Sequence, residues 1–361
     1  MKIFIFVKII SKILIMKNFV ISFCSFLLIF LYGSSSIASA RPEKREFRGA
    51  WIATVANIDW PSNVNASSEE KRAELIQILD SLRKCKINAV IFQIRPTADA
   101  LYKSDIEPWS EWITGEQGRA PEPFFDPLQL VVEEAHKRCM EVHAWINPYR
   151  VTNFPNYKLA ENHIYFKKPH LFKTYGGRIY FDPGLDETGD YLIRVLQDIV
   201  SRYDIDALHL DDYFYPYPSG GADFPDEETF QNNPRGFTSK ADWRRDNVNR
   251  IVKRIQDSVK QIKPWVEFGV SPFGVWRNAN KDPKGSATKA GVTNYDDLYA
   301  DVILWADSGW VDYLAPQLYW ELGKKVADYA VLAPWWQDNV KNSKLYFGLY
   351  ASGLEVNKPK A

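Results

Sequence analysis

The chain has 361 residues, 45 Lys and Arg against 45 Asp and Glu, and a formal net charge of zero; it is 46% hydrophobic and 15% aromatic, with three Cys. Those figures exclude a disordered chain, which lacks apolar material to bury. They also exclude a basic nucleic-acid binder and a disulfide-framework miniprotein, and the length fits two average domains or one large α/β barrel.

Residues 1–40 hold four Lys and no acid, with an apolar run over 19–32 and the ending Ala38-Ser39-Ala40. A cationic start, an apolar middle and an A-x-A end describe a secretory signal peptide. Met16 opens a more compact version of the same pattern. Cleavage leaves residues 41–361 as a mildly acidic chain without a transmembrane segment, exported to the periplasm, the cell envelope or the extracellular space. Cys85 and Cys139 remain. Each precedes an expected strand at an equivalent point of successive repeats, which favours buried packing, with a disulfide as the alternative.

From there, short apolar runs alternate with longer amphipathic ones. Strands are expected at 49–55, 89–94, 142–146, 207–210, 268–270, 313–315 and 345–349. Helices are expected at 69–84, 127–138, 190–203, 242–262, 295–308 and 326–340. Leu75, Ile76, Leu79 and Leu82 recur at helical spacing, and Asp126-Pro127 supplies an N-cap and a first-turn Pro. Strict alternation implies a parallel sheet with crossover helices. Helix-to-strand connections are short (85–88, 139–141, 204–206, 308–310), whereas strand-to-helix connections are long (95–126, 147–189, 211–241, 271–294). Long loops on one edge mark the working face of a TIM barrel, and no G-x-G-x-x-G follows a strand as a doubly wound sheet would require. The fold class is therefore α/β, a TIM (β/α)8-type barrel. The chain stops soon after the seventh strand, so the domain over 41–361 is expected to be C-terminally incomplete.

Polar and aromatic residues crowd the strand ends, where barrel chemistry occurs. Gln93, Arg95 and Asp99 lie at the end of the second strand, and Trp145, Asn147 and Arg150 at the end of the third. His209, Asp211, Asp212 and Tyr213 close the fourth, Trp276 follows the fifth, and Gln317, Tyr319, Trp320 and Glu321 follow the sixth. Asp211-Asp212 ends an apolar strand, where an acid is expensive unless paired or functional. Glycoside hydrolysis needs two carboxyl groups about a glycosidic bond, one donating a proton and one acting as nucleophile or base. Asp211 or Asp212 with Glu321 meets that need in type and placement, and Asp99 is the next candidate. Arg95 and Arg150 suit a carboxylate substituent or a neighbouring Asp, and the indoles suit sugar faces. Gln93, Asn147, His209, Tyr213, Gln317 and Tyr319 complete the expected binding surface. The five His form neither H-x-H nor H-E-x-x-H, so no metal or other cofactor is expected. The run 269–274 lacks the second Gly of a serine nucleophile elbow.

With these residues in view, the chain resembles the bacterial glycosyl-hydrolase-like family 10. The matching stretches are REFRGAWIATVANIDW (45–60), QIRPTADALY (93–102), HAWINPYR (143–150), HLDDYFYP (209–216), GVSPFG (269–274) and DYLAPQLYWE (312–321). The resemblance implies a secreted or envelope TIM-barrel enzyme hydrolysing O-glycosyl bonds. Through some relatives it also implies peptidoglycan glycan strands lacking stem peptides as substrate. The partner is then a polysaccharide, not a nucleic acid. A non-catalytic carbohydrate-binding barrel is the alternative, and a polysaccharide deacetylase or lyase a third.

Overall fold

The computed structural model describes residues 46–351; the leader expected over 1–40 lies outside them. In chain order the main elements are β1 (Gly49–Ile52), α1 (Ser68–Lys84), β2 (Ala89–Arg95), α2 (Pro127–Lys137), β3 (Glu141–Ile146), β4 (Phe172–Tyr175), β5 (Arg178–Phe181) and α3 (Asp186–Arg202). There follow β6 (Ala207–Leu210), α4 (Lys240–Ile262), β7 (Glu267–Val270), α5 (Val302–Asp307), β8 (Tyr313–Leu314), α6 (Tyr329–Asn339) and β9 (Lys344–Leu345). Seven strands form one sheet in the order β1-β2-β3-β6-β7-β8-β9. Every pairing between neighbours in it is parallel. This is the α/β barrel arrangement that the alternation implied.

Local chemistry explains the elements. Ser67 and Glu70 close a capping box on α1, with acids in its first turn and Arg83 and Lys84 in its last, each on the favourable end of the helix dipole. Asp126 accepts from the Gln129 N–H and Pro127 opens α2, where a missing N–H costs nothing. All seven residues of β2 are buried, as a parallel strand covered on both faces requires.

Alternation within the strands splits the core in two. Val90, Phe92, Val142, Ala144, Leu208 and Phe268 join the main apolar cluster, which includes helix residues such as Leu79, Val131, Leu196 and Ile255. The other set points into the curl of the sheet. There the rings of Phe47 and Tyr346, beside the edge strands β1 and β9, stack at 4.2 Å. A Cβ on Gly348 would stand 3.2 Å from the Trp51 indole. The sheet thus curls until side chains at its two edges touch. Gly269 is required here: a Cβ at that position would fall 1.9 Å from the Tyr313 ring, which crosses over it.

Several expectations needed correction. The helix expected over 295–308 forms only as α5. Before it, Tyr299 takes a positive φ of 54°, and Asn294 donates to the carbonyls of Phe273 and Val275, which holds 293–300 in turns. The long connection after β3 contains the antiparallel hairpin β4–β5, turned by Gly176 and Gly177 at φ 56° and 75°, the left-handed pair that a tight hairpin favours. Cys85 and Cys139 are exposed free thiols rather than buried ones. Both lie in helix-to-strand turns on the outside of the sheet: Cys85 caps α1, and Cys139 follows α2 with φ 54°. Among the described residues no helix is long and apolar enough to cross a membrane.

Candidate active site

The polar residues at the strand ends separate into three groups. In the first, the end of β6 places Asp211 and Asp212 side by side, each only 4% exposed. Asp211 accepts from the Trp145 indole at 3.2 Å, the Asn147 amide at 3.3 Å and the Tyr213 N–H at 3.2 Å. Asp212 accepts from the Tyr217 phenol, and the Gln317 amide also favours its ionised form. Gln317 in turn donates to the Ser271 carbonyl at 2.9 Å. Arg150 stacks on Tyr213, its guanidinium carbon 4.7 Å from the ring centre. Burial raises the Tyr319 phenol well above its ordinary value, and the Asp212 and Asp211 charges add to the rise.

Burial lifts Asp211 to about 6. The Asp212 charge adds to the rise, while Arg150, the Tyr213 N–H and Trp145 oppose it. Burial also raises Asp212, against Tyr217, Gln317 and Arg150. Adjacent buried carboxyls resist ionising together, so the pair holds a proton into the range where enzymes work. One ionised and one protonated carboxyl is the combination of protonation states that glycosidic cleavage uses.

The second group lies inside the barrel beneath the pair. His209 is fully buried, so it does not line the cleft as expected. Its Nε2 faces the Trp51 indole N–H at 3.4 Å and the Ser271 hydroxyl at 2.9 Å. An indole N–H only donates, so this Nε2 is an acceptor and Nδ1 carries the proton. Nδ1 therefore donates to the Tyr313 oxygen at 2.8 Å, Tyr313 donates to His143 Nδ1 at 2.7 Å, and His143 Nε2 faces Glu141 at 3.3 Å. Burial, with His143 adding to it, pushes His209 well below its ordinary pKa. It is a neutral strut.

The third group is structural. Gln93 is fully buried and accepts from the N–H groups of Thr54 and Val55 at 3.0 and 2.9 Å, which pins the segment after β1. Arg95 is locked by Glu107 through contacts of 2.6 and 2.7 Å. Asp99 is fully buried and receives the Gln117 amide at 3.1 Å; burial raises it to about 7 against that donor. Trp276 is 7% exposed and stacks on Trp335 at 5.8 Å, so it is core rather than sugar wall. Glu321 is not gathered into the pair. Its side chain is 64% exposed and paired with Lys324 at 3.3 Å, because it sits in the open loop between β8 and α6.

Tyr217 and Phe273 join the site without having been expected. Tyr213, Tyr217, Phe273 and Trp320 follow one another at ring separations of 5.4, 6.2 and 5.3 Å. They form an aromatic wall beside the pair. The signal for Tyr217 was its place in the aromatic run 213–217 directly after the two acids. Among the described residues no cluster of three or more His, Cys, Asp or Glu is arranged to hold a metal ion.

The model of the family described as Glycosyl hydrolase-like 10 matches residues 46–360. The chain belongs to the glycosyl hydrolase-like 10 family. Glycosyl hydrolase YngK of Bacillus subtilis is 49% identical over 87% of this chain and 62% of its own length, so this chain spans less than two thirds of that relative. Glycosyl hydrolase DigH of Escherichia coli K12 is 42% identical over 88% of this chain and 76% of its own. Among solved structures, a Paenibacillus cycloisomaltooligosaccharide glucanotransferase complexed with cycloisomaltoheptaose superposes with a TM-score of 0.51. The match has 12% identity and covers 85% of this chain and 38% of that one. At that identity the likeness is one of fold. The six stretches that carried the glycosyl hydrolase-like 10 resemblance include the acid pair and its Trp145, Asn147 and Gln317 partners.

Proposed function

We propose that this protein is an exported glycoside hydrolase that cleaves O-glycosidic bonds of a polysaccharide, with glycan strands of peptidoglycan freed of stem peptides as substrate. Asp211 and Asp212 are the carboxyl groups that do the work. The observation that carries this reading is their pairing at the end of β6, both buried, with burial raising both. One gives its proton to the leaving glycosidic oxygen while the other, ionised, supports the positive charge growing at the anomeric carbon or activates its attacker. Water then supplies a hydroxyl to the new reducing end and a proton to restore the pair. The aromatic wall offers flat apolar faces to sugar rings. Export rests on the cationic, apolar and A-x-A segments of residues 1–40.

The test is incubation of the protein with glycan strands before and after enzymatic removal of stem peptides, alongside neutral polysaccharides. Reducing ends and product masses are measured. New reducing ends with one water added per cleavage are expected, most strongly on the peptide-free strands. An unsaturated product, loss of acetyl alone, or binding without turnover would replace hydrolysis by a lyase, a deacetylase or a binding barrel.

A further inference from the structure

Arginines near the barrel mouth neutralise acids of this chain. Arg95 pairs with Glu107, Arg244 with Asp226 and Asp223, and Arg277 with Asp296 and Asp282. Arg150 differs. It is 8% exposed, yet among the described residues no carboxylate lies within ion-pair distance of it. Its side chain makes one hydrogen bond, from Nε to the Pro96 carbonyl at 3.3 Å. The two terminal nitrogens have no partner and are not sealed from solvent. Their N–H donors form the planar fork that fits a carboxylate in two-point contact.

The fork is held in place by its surroundings. The Arg150 N–H donates to Asn147 Oδ1 at 2.9 Å, and the same Asn147 donates to Asp211. The Arg150 backbone bridges to Tyr180 of β5, flanked by Phe181 N–H to the Tyr149 carbonyl at 2.8 Å and Val151 N–H to the Ile179 carbonyl at 3.0 Å. Tyr213, 37% exposed, supports one face of the guanidinium. A nearly buried guanidinium with no carboxylate in direct contact leaves donors unpaired, which is costly unless something completes it. Both Asp211 and Asp212 feel its charge, so it stands in the same cleft.

Taking the cleft as the glycan site proposed above, we infer that Arg150 is a specificity-determining residue that receives a carboxylate borne by the sugar next to the scissile bond. That carboxylate is either the lactyl group left when a stem peptide is removed or the acid of a uronic residue. An amide or ester at that position offers no charge to the fork and leaves the guanidinium uncompensated. When a sugar carboxylate occupies the fork, Arg150 favours the ionised Asp211 and Asp212 less. The acid of the pair then stays protonated to higher pH, so the correct substrate keeps its proton donor loaded.

The experiment measures equilibrium binding by the whole protein to two matched pairs of glycans. One pair is peptide-free glycan strands before and after carbodiimide amidation; the other is glucuronate oligomers and their methyl esters. The expected result is roughly 10- to 100-fold tighter binding of the charged member in one pair. That preference disappears in Arg150→Gln and is only partly kept in Arg150→Lys. The wild-type comparison needs no variant, so a misfolded substitution does not remove the test. Equal wild-type affinity for charged and neutral members, or a preference that survives in a folded Arg150→Gln, overturns the inference while leaving the glycan-site reading intact. No binding to any of the four glycans overturns both.

Discussion

The ends of β2 and β6 are built from the same ingredients and do different things. Each has buried acids with a buried arginine beside them at the mouth of the barrel, Arg95 from β2 itself and Arg150 from the loop after β3. At the end of β2, Arg95 and Glu107 satisfy each other, Tyr191 donates to Glu107 at 3.1 Å, and Asp99 is sealed with Gln117. At the end of β6, two carboxyls stand together without a cation in contact. Arg150 keeps free donors beside them, and Tyr213 and Tyr319 remain open to solvent. A cavity of about 650 Å³ lies near the first region, lined by Glu111, Gln117 and Tyr157, and no residue of the acid pair lines it. Hollow space and raised acids therefore do not single out the working end of this barrel. Incomplete pairing beside exposed aromatic faces is what sets the proposed working end at β6 apart from the end of β2.

The largest effect that would sharpen this contrast is on rate. Asp211→Asn and Asp212→Asn are each expected to lower glycan cleavage by roughly 10²- to 10⁴-fold with little loss of thermal stability, read by reducing-end assays and thermal denaturation. At the β2 end the expectation reverses. Glu107→Ala leaves the buried Arg95 without a counter-ion, held only by the Asn147 and Pro148 carbonyls, which should cost about 3–5 kcal/mol of stability in urea unfolding, with activity in the folded fraction largely kept. Third comes pH. Burial raises Asp99 from 3.8 to about 7. The proton it holds when folded therefore supports stability fully below about pH 4, and that support fades as pH climbs through 7. Asp99→Asn should flatten this decline, gaining on wild type by roughly 1–3 kcal/mol between pH 5 and pH 8; a difference that stays constant across that range would contradict it. Smallest is Glu321→Gln. Its exposed pair with Lys324 is screened by solvent and contributes little to stability, and turnover should change less than about threefold. A loss as large as that of Asp211→Asn would return Glu321 to the catalytic pair.

Much of this contrast was open to sequence reading, and the limits have physical causes. Periodicity locates β2, β3, β6 and β7 closely because parallel strands bury both faces and read as unbroken apolar runs. Asp211-Asp212 stands out for the same reason: two acids closing such a run have no cheap structural excuse. Whether Arg95 or Arg150 is free cannot be read that way. The answer depends on Glu107, twelve residues beyond Arg95 and folded back onto it. Trp276 and Trp320 occupy similar places after their strands, and only packing sends one into the core against Trp335 and leaves the other beside Phe273. The hairpin β4–β5 that holds Arg150 leaves one mark in the sequence, the Gly176-Gly177 pair, and its short strands FKTY and RIYF do not alternate. It was hidden by its position inside a connection read as loop.

The most direct measurement of the central claim uses heavy-oxygen water. Peptide-free glycan strands are cleaved in it by wild type and by the Asp211→Asn, Asp212→Asn double variant, and the products are weighed. If the pair at the end of β6 is the hydrolytic centre, each new reducing end from wild type carries one heavy oxygen, and the folded double variant releases none. Unlabelled or unsaturated products from wild type, or labelled products at an undiminished rate from the double variant, would contradict it.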